Sequence, residues 1–230
     1  LQKAAGVRVI DVNTQETTDY FAKTIFVCAS TLNTNQVLLN SKSRRFPNGI
    51  GNDNGILGKY IAFHNYRGKI NGIYEGHKNY KTEGIKPTSC YIPRFRNVYS
   101  QETNFLRGYA AGFTSGKSTS INKDGFRNEL LKNLTTIEDD GVWHVGSHMM
   151  GETIPKKSNF VSLSDNETDK LGIPILKINV DYDENDELMI QDFFDQLTEM
   201  YRKAGFKNIK TTDTGQAPGL DIHEMGGVRM

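Results

Sequence analysis

His223 is the residue best suited to chemistry in this chain, and it stands in Ile222-His223-Glu224-Met225-Gly226-Gly227-Val228-Arg229-Met230. An imidazole titrates near neutrality, so it can take a proton from a hydroxyl and return it within one turnover. Gly226 and Gly227 permit backbone torsions closed to other residues and let a flat ligand approach the main chain. Together they suggest an active-site turn. A hydrogen-bonded structural histidine beside a glycine pair is the competing reading.

A second cluster is Trp143-His144-Val145-Gly146-Ser147-His148-Met149-Met150-Gly151. Strand alternation puts His144, Gly146, His148 and Met150 on one side, and Trp143, Val145, Ser147 and Met149 on the other. Two imidazoles on one side suit hydrogen bonds to a sugar, so His144, His148 and Trp143 are candidate substrate-binding residues. Satisfied core or surface histidines are the plain alternative. A metal centre needs a third ligand and an open position, and no HExxH-type pairing occurs, so no metal site is expected. Trp143, Tyr91 and Tyr109 would serve as stacking platforms in a non-catalytic carbohydrate-binding or scaffold module, although core packing accounts for most aromatic residues. A metal-dependent hydrolase would rest only on the five histidines.

The elements that must position these residues follow from periodicity. Gly6 to Val12 alternates apolar and polar residues, and a polar turn at Asn13 to Thr18 returns the chain into Ala22 to Ala29, read as a second strand covered on both faces. A short helix follows, with Thr31 or Asn33 as cap and Val37, Leu38 and Leu39 on its buried side. From Ile61 to Val180 the pattern is one of short strands at Lys69–Tyr74, Ser89–Ile92, Leu106–Thr114, Gly141–Thr153, Asn159–Leu163 and Ile175–Tyr182, with a helix near Phe126 to Leu134. A strong helix then starts at Asp183 or Asn185 and carries Leu188, Ile190, Phe193, Phe194, Leu197, Met200 and Tyr201 at helical spacing until Gly205. The fold class is α+β: a mainly antiparallel sheet covered on one face by helices, with the other face free for a ligand.

Composition narrows the partners. The 28 Lys and Arg against 27 Asp and Glu leave a net charge of +1, too little to hold nucleic acid or an anionic membrane, and Lys42, Arg44 and Arg45 read as a solvated loop. No run reaches the ~18 apolar residues of a membrane span, and the first residues lack signal-peptide order. Cys28 lies in the apolar run Thr24–Ala29 and is expected as a buried reduced thiol; with Cys90 far away, no disulfide framework is indicated. Gly49-Ile50-Gly51 lacks the spacing and flanking elements of a dinucleotide fingerprint.

Several segments together resemble the glucose-methanol-choline family of FAD-dependent oxidoreductases. Ala22 to Ser41 is similar to the family's second signature, with Ser30, Thr31, Thr34, Val37, Leu38 and Ser41 fitting and Asn35 and Lys42 departing from it. Gly55-Ile56-Leu57-Gly58-Lys59-Tyr60-Ile61-Ala62-Phe63-His64 resembles the passage from the FAD domain to the substrate domain, where a histidine often stands at the position of His64. Gly172 to Lys177 also looks like this family, and Gly219 to Met230 resembles the turn bearing its first active-site histidine.

The resemblance implies oxidation of an alcohol or sugar CH–OH group by hydride transfer to FAD, with His223 as acid and base and an electron acceptor of unknown type. It implies cofactor contacts at Ala29, Ser30, Gly226 and Gly227. It divides the chain into a partial FAD-binding domain at 1–60, a substrate-binding domain at 61–211, and a return to the FAD domain with the active-site turn at 212–230. Remnants of an FAD-binding α/β domain would thus stand at both ends. The family's pyrophosphate-binding glycine turn and second active-site residue are absent, so the chain reads as a fragment that by itself holds no FAD and does not turn over.

Overall fold

The computed structural model describes residues 3–77, 89–121, 125–135, 137–220 and 222–229. It is sheet-rich and mixed, with antiparallel strand pairs and three helices among the described residues. The chain forms two compact units, one of Leu1–Phe63, Ile154–Asp181 and Pro218–Met230, the other of His64–Thr153 and Tyr182–Ala217.

The first unit opens with a hairpin of β1 (Gly6–Ile10) and β2 (Thr17–Phe21), in register from Gly6 opposite Phe21 to Ile10 opposite Thr17. The turn closes early. The Asp11 carboxylate accepts from the amides of Asn13 and Thr14, both at 2.8 Å, and Gln15 adopts a left-handed φ of 61°. The partner of β1 is therefore Thr17–Phe21, which corrects the expected pairing with Ala22–Ala29. That apolar run makes no strand among the described residues. Phe26 is 84% exposed, and Cys28 is exposed rather than a buried thiol. A strand needs a neighbour to satisfy its amides and carbonyls, and no described strand lies alongside this run.

Helix α1 (Ser30–Asn40) follows, with Ala29 at the N-cap and no side-chain cap, so neither Thr31 nor Asn33 fills that role. It buries Asn35 and Leu39, one turn apart, while Val37 is exposed, contrary to the expected stripe. Strands β8 (Phe160–Thr168) and β9 (Pro174–Asn179) pair only with each other and do not join the larger sheet. Asp169 closes their hairpin by accepting from the amides of Leu171 and Ile173. The other edge of β8 is met within this unit by a bridge from Lys59 to Phe160 and by Val161 N donating to Gly58 O.

The second unit is built on six strands. They are β3 (His64–Asn65), β4 (Gly68–Tyr74), β5 (Cys90–Ile92), β6 (Tyr109–Ile121), β7 (Ile137–Glu152) and β10 (Lys207–Asp213). All pairs are antiparallel, in the order β10-β4-β7-β6-β5, and β3 adds to the end of β7. Strand β10 has no counterpart in the sequence reading because Ile209 is its sole large apolar residue. Helix α2 (Asn128–Thr135) falls where a helix is expected between β6 and β7.

Helix α3 (Glu184–Lys203) lies on one face of this sheet. Asp183 caps it by accepting from Asn185 N, and the Asp186 carboxylate reaches back to Asp183 N at 3.1 Å, forming a capping box. Three acidic residues in the first turn and two basic residues in the last complement the helix dipole. Gly205, at φ 81°, ends the helix. Met189, Phe193, Leu197 and Tyr201 recur every fourth residue and are essentially buried, packed on Ile70, Tyr109, Ala111 and Met149.

Arg67 fastens three elements of this unit. Its guanidinium donates to Asp213 (Nε–Oδ1 3.0 Å) and to Glu187 (Nη1–Oε1 2.6 Å), and it lies 5.0 Å from the Tyr182 ring centre. The hydrogen bond from Arg67 holds the Asp213 carboxyl below its ordinary value, outweighing desolvation, with Gly215 N adding to the effect. A carboxylate depressed in the folded state stabilises above its unfolded pKa of about 4 and loses that contribution as pH falls through the folded value. Denaturation of the wild type and of Asp213→Asn should therefore differ at about pH 6, and the difference should shrink as pH falls below about 4. A difference independent of pH would contradict this role.

Candidate functional site

The turn bearing His223 is built by contacts within the first unit. Met225 pairs with Ala62 through two backbone hydrogen bonds of 2.9 Å, Gly58 N donates to Gly227 O at 2.7 Å, and Gly227 N donates to Lys59 O at 3.0 Å. From α1, the Thr31 hydroxyl donates to Glu224 O at 2.7 Å. The glycine pair is demanded by this packing. A Cβ on Gly226 would lie 2.0 Å from Tyr60 O, and one on Gly227 would lie 2.2 Å from the Asn35 amide nitrogen, with both backbones left-handed. The side the glycines leave free is thus filled by the chain itself, which gives them a role in shaping the turn independent of any ligand.

Asn35 is the residue that the sequence reading noted only as a departure from the family pattern. It is fully buried, donates to Thr31 O at 2.8 Å, and packs its amide on Gly227. Thr31 and Asn35, one helical turn apart, therefore both support the turn. His223 itself is exposed, in a left-handed conformation at φ 67° that histidine adopts more readily than most residues. Its ring is not sequestered in an apolar interior.

Ala29 is half-buried and Ser30 is exposed at φ 57°, at the start of α1. The first turn of this helix has neither a side-chain cap nor an acidic residue, so its amide groups form an electropositive end.

In the second unit, the sheet face opposite α3 carries His144, Gly146, His148 and Met150 of β7, as alternation requires, while Ser147 and Met149 are buried on the helix side. His148 lies across Gly112 of β6: a Cβ there would meet its ring at 2.3 Å. The Tyr66 ring centre stands 4.7 Å from that of His148. His144 is exposed and lines a concavity of about 540 Å³ together with Asn71, Thr114, Gly146, Asn208 and Lys210.

Trp143 is on the other face. Its indole N donates to His77 O at 3.4 Å, and it borders a separate apolar pocket with Tyr74, Val145 and Phe206. The structure therefore brings His144 and His148 onto one face and leaves Trp143 behind it. Tyr109 is 1% exposed, and its hydroxyl donates to Asp192 at 2.7 Å, where burial and that carboxylate push the phenol up. It cannot stack on a sugar, which corrects its place among the platforms. Tyr91 is 72% exposed and pairs with Gly112, so the surviving aromatic candidates do not share a surface.

No protein-family model matches the sequence. The chain is similar to a 2-methyl-1,2-propanediol dehydrogenase of Mycolicibacterium austroafricanum, at 28% identity over 239 residues. The match takes in 99% of this chain but 42% of that protein, so the chain spans less than half the length of the curated protein it matches. His64, singled out for its position before the substrate region, belongs to β3 with its Nδ1 3.4 Å from Gly151 O. No group of His, Cys, Asp and Glu suited to a metal occurs among the described residues, and no described helix is long and apolar enough to cross a membrane.

Proposed function

We propose that this chain supplies the substrate-binding portion and part of the cofactor-binding portion of a glucose-methanol-choline-type oxidoreductase that oxidises a CH–OH group. The observation that carries this reading is a likeness to a diol dehydrogenase extending over 99% of the chain. The exposed His223 on a rigidly pinned turn supports it, as does the uncapped, electropositive start of α1 at Ala29 and Ser30, which suits an anionic dinucleotide. In this reading the apolar run at Ile25–Cys28 belongs to the cofactor domain, where a sheet neighbour would cover it.

The residues present fit FAD at that helix start. Gly226 and Gly227 serve the cofactor indirectly, by fixing the turn. A bound flavin supplies the acceptor for the hydride leaving the carbinol carbon. His223 takes the hydroxyl proton, which makes that carbon a better hydride donor. Within the second unit, His144 and His148 share the uncovered sheet face, where two imidazoles suit hydrogen bonds to hydroxyl groups.

Expression of the complete open reading frame tests the proposal. The purified protein should show the blue-region flavin absorbance and lose it anaerobically on addition of a vicinal diol or sugar. A complete protein that neither carries nor binds FAD would overturn it.

A further inference from the structure

The uncovered sheet face holds one continuous row of directly opposed residues: Lys210 of β10 faces Asn71 of β4, which faces Gly146 of β7, which faces Thr114 of β6. Gly146 is the floor of this row. A Cβ built there would lie 3.1 Å from Asn71 Oδ1 and 3.7 Å from Thr114 Oγ1, so the amide and the hydroxyl flank the space the glycine leaves open. In the next row His144 faces Gly116, above which nothing lies within 4 Å. Small residues thus alternate with polar ones, hollowing the concavity of about 540 Å³. Two strand spacings of about 4.8 Å separate Asn71 from Thr114, a span of about 10 Å.

The irregularity in β10 completes the rim. Between Lys207 and Lys210 the register shifts, and Asn208 takes a left-handed φ of 50°. The bulge puts Asn208 into the concavity while Ile209 packs on the core of the other face. Among the described residues, no side-chain hydrogen bond engages Asn71, Thr114 or Asn208, and no carboxylate pairs with Lys210. By contrast, nearby Lys207 is committed to Glu75 and Arg67 to Glu187 and Asp213.

We infer that this concavity is a binding site for a polyhydroxylated molecule carrying one oxyanion, with the hydroxyls read by Asn71, Thr114 and Asn208 and the oxyanion by Lys210. Amide and hydroxyl groups each donate and accept, as a hydroxyl requires of its partners. Lys210 offers donors alone and a charge that no lining carboxylate neutralises, so a neutral polyol would leave it unused. The inference deepens the proposed function, on which it rests for calling this molecule the substrate.

Equilibrium titrations of the complete protein, without electron acceptor, use three sugars sharing one ring: glucuronate, glucose 6-phosphate and glucose. One or both of the charged sugars should bind at least about tenfold more tightly than glucose, and Lys210→Met should abolish that preference while leaving glucose binding unchanged. Which charged sugar prevails identifies the oxyanion as carboxylate or phosphate. Gly146→Val, whose side chain would occupy the space between Asn71 and Thr114, should weaken all that bind. Equal binding of all three sugars, a preference that survives Lys210→Met, or no binding at all would overturn the inference. Flavin bleaching by a neutral diol would still uphold the oxidoreductase reading in that event, and binding without any bleaching would sink that reading alone.

Discussion

On the proposed function, His223→Asn should lower the rate of substrate-driven flavin reduction by about 10²–10⁴-fold, the usual contribution of a positioned general base. Asparagine is the substitution of choice because the residue stands at φ 67°, a left-handed conformation that Asn tolerates and most other residues resist. The turn is held by backbone contacts of Glu224, Met225 and Gly227, which the substitution retains. Stopped-flow reduction at saturating substrate measures the effect, with flavin content and substrate affinity as controls. A loss under about threefold, with both controls unchanged, would remove His223 from the chemistry.

Phe193→Ala should destabilise the second unit by about 3–5 kcal/mol. The ring is completely buried on the middle of α3, with its centroid 5.6 Å from that of Tyr109 in an edge arrangement and 5.8 Å from that of Phe194. It also fills the hollow over Gly68, whose missing Cβ would lie 2.9 Å from it. Backbone on that side and aromatic rings on the others leave little freedom to collapse, which favours the upper part of the range. Denaturant unfolding of the two proteins measures the difference. A value under about 1 kcal/mol would mean that α3 is not the lid of this core.

Much of the second unit is legible in the chain because its signals are local. The stripe along α3, its acidic start and Gly205 specify a helix, its apolar face and both its ends without reference to any other segment. Alternation along Trp143–Met150 likewise separates the side of His148 from the side of Met149, since a strand's period of two is a property of one segment. The turn around His223 is legible as a turn for the same reason: adjacent glycines permit torsions that a tight turn requires and other residues resist.

What pairs with what is another matter. The early closure at Asp11 shifts the hairpin partner to Thr17–Phe21, and the same apolar run that suggests a buried strand is left without a neighbour, with Phe26 and Cys28 exposed. Strand β10 carries too few apolar residues to announce itself, yet it supplies Asn208 and Lys210 to the concavity. Tyr109 resembles a stacking platform in composition and becomes a core residue once α3 covers it.

The chain by itself determined the antiparallel sheet, its covering helix, and which side of β7 each histidine takes, because helical and strand periods act between near neighbours. The support of Gly227 by Asn35 and the row Lys210–Asn71–Gly146–Thr114 were decided only in three dimensions. Both depend on register and packing between segments remote in sequence, and a strand's own pattern says which face a side chain takes but not which residue will stand opposite it.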